Sequence, residues 1–387
     1  MINNKFYLLF PMSKENRIKR NLGIDLLRII SIFFIINHHM IYHGASLYQI
    51  KNFSFKYSLL LFFNTIFCSG VNIFGMISGF VGFRSHNYSN LIYLLFQTFI
   101  YNYGIALYYK ITKPNSVKDL NHYLYPLFIT DYWYFTAYFS MYFFLPIINS
   151  GIKEIGKREF GLFNLSIFSF FSCFSQISHY LSVLGSDIFS LHNWFSYIWL
   201  IILYFFGSYF GKFNNDSHNY NKFIIFILCI SFILIVTLLR NIIIINKIKI
   251  YNSDRGMRVE YNSPTSVIIS ICLIISLSKI NIHFFLFEKI ICFFSPLTYG
   301  IYLIHNHVLV RQNIIQYKFS WILKYNTFRL ILIEFFESTK IFLVCAFIDY
   351  FRLLLFKILK IRDICKLLSI ILSKFGNRIL FFFELLY

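Results

Sequence analysis

The feature that most constrains this chain is the recurrence of apolar stretches of 18 or more residues along almost its whole length. A helix of that length crosses the hydrocarbon layer of a bilayer, which is about 30 Å thick. Only 13% of the 387 residues are charged, whereas soluble domains average about 25%. Transmembrane β-strands would instead alternate polar and apolar residues. We therefore predict an all-α, polytopic bundle of about ten transmembrane helices.

Ten spans with short connections can be drawn on the sequence. They cover residues 22–43, 57–80, 89–109, 127–148, 162–182, 194–211, 223–245, 264–280, 290–310 and 328–350. Five basic residues precede the first span: Lys5, Lys14, Arg17, Lys19 and Arg20. Because basic residues are retained on the cytoplasmic side, this placement predicts a cytoplasmic N-terminus. An even number of spans returns the C-terminus to the same side.

The C-terminal tail, residues 351–387, has its own pattern. Between residues 353 and 380, Lys and Arg recur every three to five residues among Leu and Ile. This spacing predicts a basic amphipathic helix on the cytoplasmic membrane surface. A solvated helix without a function is the alternative. Residues 1–21 are predicted to form a cytoplasmic N-terminal segment, and residues 22–350 the transmembrane domain.

The net charge of +20 would also suit a nucleic-acid-binding protein. The basic residues lie beside the apolar spans, however, as the positive-inside rule and anionic lipid headgroups require. We therefore predict no nucleic-acid partner. The seven cysteines are scattered and form no CxxC pair, so we predict neither a disulfide framework nor a metal site.

The first predicted span contains polar residues on one helix face. Arg28 and His39 are eleven residues apart, about three turns plus about 20°, so they share a face about 16 Å apart along the axis. Asp25 lies one turn before Arg28, and His43 one turn after His39. His38 is directed about 100° away from this stripe. Charged groups inside a span usually face the bundle interior and mark a site.

The cytoplasmic end of this stripe also has a simpler interpretation. Asp25 and Arg28 would form an interfacial ion pair and contribute only to topology. His39 lies too deep in the span to reach the interface, so this interpretation does not account for the whole stripe.

Four stretches together resemble the acyltransferase 3 family of membrane O-acyltransferases. The first is the Ile-Asp-Leu-Leu-Arg sequence that ends at Arg28 and is followed by His39. The others, in the same order as in the family, are VNIFGMISGF (71–80), DYWYFTAYFSMYFFLPIIN (131–149) and TYGIYLIHNHVL (298–309). One departure is that only Arg84 follows the SGF motif, where many members have two or more basic residues.

The resemblance implies an activity. It implies a bacterial plasma-membrane enzyme that transfers an acyl group, typically acetyl, from acyl-CoA to a hydroxyl of a cell-surface glycan or its lipid-linked precursor. Acetyl-CoA would be a co-substrate, and no permanently bound cofactor is expected. The partners are then acyl-CoA, the glycan acceptor and the lipid bilayer. Residues 22–350 would form the acyltransferase domain.

The same resemblance implies roles for individual residues. His39 would be a general base or the nucleophile of an acyl relay, since imidazole suits both roles. Arg28 and Arg84 would hold CoA phosphates, for which planar guanidinium groups are well suited, and Asp25 would orient Arg28. The predicted substrate-binding or supporting residues are His305, Tyr302, Trp133 and Tyr138. His305 could instead be a histidine hydrogen-bonded within the bundle, and the cluster of Trp133, Tyr134 and Tyr138, which could stack on a sugar ring, could instead belong to an interfacial aromatic belt. The small Ser78 and Gly79 predict a close helix approach or a sharp exit from the second span, rather than a catalytic serine.

Two other classes of function compete with this one. A glycan transporter or flippase would show internal repeats and helices broken at matching positions, and neither is evident. A glycan polymerase would need a long loop with acidic residues, and the loop at 246–263 contains Asp254 and Glu260. Consumption of acetyl-CoA distinguishes both from an acyltransferase.

Overall fold

The computed structural model describes residues 20–45, 54–84, 86–127, 132–181, 189, 195–213, 222–251 and 260–384. These residues form helices joined by short connections and contain no β-strand. The prediction of an all-α bundle is therefore confirmed. The N-terminal basic residues up to Lys19, and Asp254 of the long loop, lie outside the described residues.

The α-helices follow one another with few interruptions. In chain order they are α1 Leu22–His39, α2 Phe55–Phe67, α3 Ser69–Gly82, α4 Tyr88–Thr112, α5 Trp133–Tyr142, α6 Leu145–Glu154, α7 Lys157–Phe168, α8 Ser175–Leu181, α9 Tyr197–Phe213, α10 Lys222–Tyr251, α11 Pro264–Leu277, α12 Phe285–Phe294, α13 Thr298–Asn306, α14 Val308–Val310, α15 Thr327–Ile358 and α16 Ile361–Glu384. Three π-helical segments adjoin them: Met40–Gly44, Ser169–Phe174 and Arg311–Ile315.

Six helical segments within the described part of the chain are long and apolar enough to cross a membrane. They are Leu22–Gly44, Phe55–Gly82, Tyr88–Thr112, Lys157–Ser178, Phe226–Ile243 and Phe285–Asn306. The bent pair of α5 and α6, which meet at 64°, makes a seventh if it is counted as one span. The chain is thus a polytopic membrane protein, but ten full spans are not shown.

The difference from ten has physical causes in the remaining segments. Helices α9 and α11 are apolar but have only 17 and 14 residues. A helix rises about 1.5 Å per residue, so neither alone crosses about 30 Å of hydrocarbon. Helix α15 has 32 residues but includes charged side chains such as Glu334, Glu337 and Lys340 along its length.

Helix α1 lies at the centre of the bundle. It packs against α2, α3, α11, α12, α13 and α15, and its buried apolar side chains include Leu27, Ile32 and Ile36. The residues of α1 are therefore in a position to meet groups from several other helices.

Helices α3 and α9 cross very closely. A methyl group added to Gly79 would overlap the backbone carbonyl of Tyr204, and one added to Gly207 would overlap the carbonyl of Met76. The Ser78 hydroxyl donates to the carbonyl of Phe74. The close helix approach predicted at the SGF motif is therefore confirmed, and the motif does not end in a sharp exit at Gly79, since α3 continues to Gly82.

A buried ion pair joins α4, α13 and α15. Arg352 donates to both carboxylate oxygens of Asp349, at 2.9 and 2.6 Å, and the Asp349 side chain is fully buried. The hydroxyl of Tyr101 on α4 donates to the same carboxylate at 2.6 Å. Gly300 of α13 packs directly on it, leaving no room for a side chain. This network fixes the position of α13.

The C-terminal amphipathic helix begins later than predicted. Residues 353–358 continue α15, and the chain then turns at Lys360, which has a φ of 50°. Helix α16 starts at Ile361 and packs along α4. The prediction of one helix over 353–380 was therefore wrong at its start, because the apolar pattern runs without interruption across the turn.

Candidate active site

A small cavity lies where α1, α3, α5 and α13 meet. Its volume is about 40 Å³, and most of its lining is aromatic, with a few polar groups, as in many binding sites. The lining residues are Ile35, His39, Val71, Phe74, Trp133, Tyr134, Tyr261, Tyr299, Tyr302 and Asn306.

His39 is the imidazole that lines this cavity. The centroid of its ring lies 5.2 Å from that of His305 and 5.5 Å from that of His43. The Nδ1 atom of His39 is buried and has no hydrogen-bond partner among the described residues. A buried polar atom in that state requires an explanation, such as a catalytic role or a missing ligand.

His305 is held in one orientation by its own helix. It is completely buried, and its Nδ1–H donates to the carbonyl of Ile301 at 2.6 Å. A neutral imidazole has one N–H and one lone pair, so Nε2 of His305 has the lone pair. That Nε2 has no hydrogen-bond partner among the described residues. Two unpartnered ring nitrogens therefore occur in neighbouring rings.

His307 differs from His305 although it is two residues away. Its Nε2–H donates to the carbonyl of Asn102 at 3.2 Å, and its Nδ1 accepts from the backbone N–H of Leu309 at 3.2 Å. Both ring nitrogens are occupied by backbone groups, so His307 is a helix cap rather than a site residue.

Asp25 and Arg28 lie at the opposite end of α1. Asp25 is buried and accepts hydrogen bonds from Arg28 at 2.6 Å, from Ser295 at 2.8 Å and from Arg20. The Arg28 side chain is 31% exposed. This geometry orients the Arg28 guanidinium. It is equally compatible with the alternative that Asp25 and Arg28 form only an interfacial ion pair.

A row of tyrosines extends from the histidines toward Arg28. The ring of Tyr302 lies 6.3 Å from that of His305 and 6.1 Å from that of Tyr134. Tyr138 follows Tyr134 by one turn of α5 and is within electrostatic reach of the Arg28 guanidinium. The two ends of α1 are thus connected by hydroxyl-bearing rings.

Arg84 and His86 lie just after α3. Arg84 is exposed, donates to the carbonyl of Gly211 at 3.2 Å and lies over the ring of Phe83. The ring of His86 lies 4.3 Å from that of Tyr142, one turn beyond Tyr138. Burial lowers the pKa of His86, which favours its neutral form. Through Tyr142, this segment belongs to the Arg28 end of the bundle.

The structure separates the predicted site residues into two groups. His39, Tyr302 and Trp133 line the cavity, and His305 is directly behind it. The second group, at the other end of α1, contains Arg28, Asp25, Arg84 and Tyr138.

Three residues that line the cavity with polar groups beside His39 were not predicted: Tyr261, Tyr299 and Asn306. Part of this set has a signal in the sequence. Tyr299, Tyr302 and Asn306 follow the i, i+3, i+7 spacing of one helix face. Tyr261 has none, since it belongs to a turn before α11. Within the described ranges, no three His, Cys, Asp or Glu side chains converge as metal ligands would.

Comparison with known proteins gives one match. A model of the acyltransferase 3 family, described as an acyltransferase domain, matches residues 21–348. The match spans both groups of site residues and most of the membrane domain. No curated protein and no solved structure matches the chain.

Proposed function

This chain belongs to the acyltransferase 3 family and is a membrane acyltransferase, and we propose that it transfers acetyl groups from acetyl-CoA to a hydroxyl of a cell-surface glycan or its lipid-linked precursor. The observation that supports this most directly is the His39–His305 pair beside the cavity. A row of tyrosines leads from this pair to the arginine at the other end of α1.

The donor would bind at the Arg28 end. The phosphates of CoA are anionic and cannot enter hydrocarbon, so they need cations at the membrane surface. Arg28 and Arg84 supply guanidinium groups there, and such groups bind phosphate through paired N–H donors. Asp25 and Ser295 hold Arg28 in place. The acyl arm of the donor would then extend along the tyrosines to the cavity.

His39 would react with the acyl group. A ring rotation that brought His39 Nδ1–H to the lone pair on Nε2 of His305 would pair two atoms that lack other partners among the described residues. The proton of His39 then stays on Nδ1, and the Nε2 lone pair is available to the cavity. A base oriented by a third group is the arrangement used in catalytic triads. His39 would act through Nε2 either as a base or as a nucleophile.

The experiment is to supply radiolabelled acetyl-CoA to membranes that contain the protein and to measure ester-linked acetate in the glycan fraction. We expect label in that fraction, released by mild alkali. A glycan transporter or polymerase would leave acetyl-CoA unused, and that result would refute the proposal. Membranes without the protein are the control.

The orientation in the membrane belongs to the same proposal. Acetyl-CoA is a cytoplasmic metabolite in the implied bacterial host, so the Arg28 end must face the cytoplasm. Both termini would then be cytoplasmic in the plasma membrane. Reporter fusions at each terminus test this, and a periplasmic signal from either fusion would contradict it.

A further inference from the structure

We propose that His38 is a second catalytic histidine, which takes the proton from the acceptor hydroxyl while His39 carries the acetyl group. This inference rests on the function proposed above. It assigns two different steps of the reaction to the adjacent residues His38 and His39 of α1. His38 is not part of the polar stripe.

The first observation is the hydrogen bond that orients His38. Its Nδ1 lies 2.8 Å from Oδ1 of Asn64, a completely buried residue of α2. The amide oxygen can only accept, so Nδ1–H is the donor and the lone pair is on Nε2. A histidine base oriented through Nδ1 by a side-chain oxygen is the geometry of catalytic triads, including those with asparagine.

The second observation is where the ring lies. Its centroid is 5.9 Å from that of His39 and 6.4 Å from that of Tyr261, which lines the same cavity as His39. Adjacent helical residues are directed about 100° apart. His39 therefore faces His305 of α13, whereas His38 faces Asn64 of α2. The two imidazoles thus have separate orienting partners: His39 lines the cavity itself, and His38 lies behind Tyr261, which lines it.

The chemistry of an acyl relay requires a second base. In the first step, Nε2 of His39 bonds to the thioester carbonyl carbon and the C–S bond breaks, with its electron pair leaving on sulfur. The Nδ1 proton of His39 passes to Nε2 of His305, and CoA leaves as the thiolate. The acetylated imidazole has its Nε2 lone pair in the new bond, so that nitrogen no longer accepts a proton.

In the second step, the acceptor oxygen bonds to the acetyl carbon and its proton passes to Nε2 of His38. The C–N bond to His39 breaks, and its electron pair stays on His39. The proton on His305 then returns to Nδ1 of His39, and His38 releases its proton to the solvent, where the CoA thiolate takes one up, so that all three rings are neutral again. No other reactant is consumed.

The experiment separates the two steps in the full-length protein. Exchange of labelled CoA into acetyl-CoA reports the first step and needs no acceptor. Transfer of labelled acetyl to the glycan of membranes reports both steps. We expect His38→Ala to retain the exchange and to lose transfer by about 100-fold or more, the contribution of a general base. His39→Ala should lose both.

A milder variant tests the same role in case His38→Ala does not fold. Asn64→Ala leaves the imidazole and removes only its orienting bond, so transfer should fall about tenfold with exchange unchanged. Asn164→Ala is the matched control, since Asn164 is a buried asparagine that donates within its own helix α7, and it should change neither rate.

The outcomes distinguish this inference from the proposed function. Normal transfer in His38→Ala, or equal loss of exchange and transfer, would overturn the role of His38 and leave the proposed function intact. Transfer without any exchange in the wild type would overturn the relay, and His38 with it. No transfer in the wild type would overturn the proposed function itself.

Discussion

His39 and His305 lie with their ring centroids 5.2 Å apart, and each presents a buried ring nitrogen that has no hydrogen-bond partner among the described residues. Each unpartnered polar atom in hydrocarbon costs free energy. That cost would be removed if the two atoms paired with each other, as the proposed reaction requires. The consequences of this relationship can be measured.

Replacing His305 should affect the reaction rate more than donor binding. In His305→Ala, His39 loses the neighbour that fixes its proton on Nδ1, so we expect kcat to fall about 10²-fold. The KM for acetyl-CoA should remain unchanged, because Arg28 and Arg84, which we propose to bind its phosphates, lie at the other end of α1. Steady-state kinetics in lipid nanodiscs measure both constants. His122→Ala, at an exposed histidine, is the control, and a rise in KM alone in the His305 variant would argue against this role.

Arg84 should contribute to donor binding. Arg84→Ala removes a guanidinium at the entrance, so we expect acetyl-CoA affinity to weaken about tenfold. Arg84→Lys should recover only part of it, because the two-pronged contact is lost. Equilibrium binding of labelled acetyl-CoA to the purified protein is the measurement. Unchanged affinity in the alanine variant would make Arg84 a topology signal only.

The crossing of α3 and α9 should be intolerant of one methyl group. In Gly79→Ala the new methyl group would overlap the carbonyl of Tyr204, and backbone cannot move aside as a side chain can. We expect a loss of about 1–3 kcal/mol of stability, seen as a lower Tm in detergent. Gly104→Ala is the matched control, because nothing lies within 4 Å of its added carbon. Equal Tm values for the two variants would contradict the close crossing.

The buried ion pair of α15 should be far more sensitive than an exposed pair with the same spacing. Asp349→Asn leaves Arg352 with an uncompensated buried charge, which costs about 3–5 kcal/mol. Asp363→Asn disrupts an exposed pair with Lys366 and should have no measurable effect. Thermal unfolding of both variants tests this. A small effect at Asp349 would mean that water reaches the pair.

The polar stripe of α1 could be predicted from the sequence alone. Helical periodicity places Asp25, Arg28 and His39 on one face, and four motifs in order identify the family. In the structure this face meets Ser295, just after α12, and His305 of α13. Those contacts depend on tertiary packing, which cannot be inferred from the periodicity of a single helix.

The same limit explains what sequence reasoning missed. Helical periodicity correctly places the side chain of His38 on a different face of α1 from that of His39. Nothing in the sequence of α1 indicates, however, that His38 forms a hydrogen bond with Asn64 of α2. The structure does not show all ten predicted spans, for a related reason. Hydropathy averages over a window and does not register the 64° bend between α5 and α6 or the short length of α11.

The central claim is that the imidazole of His39 carries out acyl transfer, and the most direct test is acetyl transfer from labelled acetyl-CoA to membrane glycan by His39→Ala. The variant retains His38, Arg28 and the rest of the cavity, and its abundance in the membrane is checked by immunoblotting. We expect the His39→Ala protein to accumulate normally and acetyl transfer to fall to the level of membranes without the protein. Transfer at the wild-type rate by a normally accumulated His39→Ala protein would contradict it.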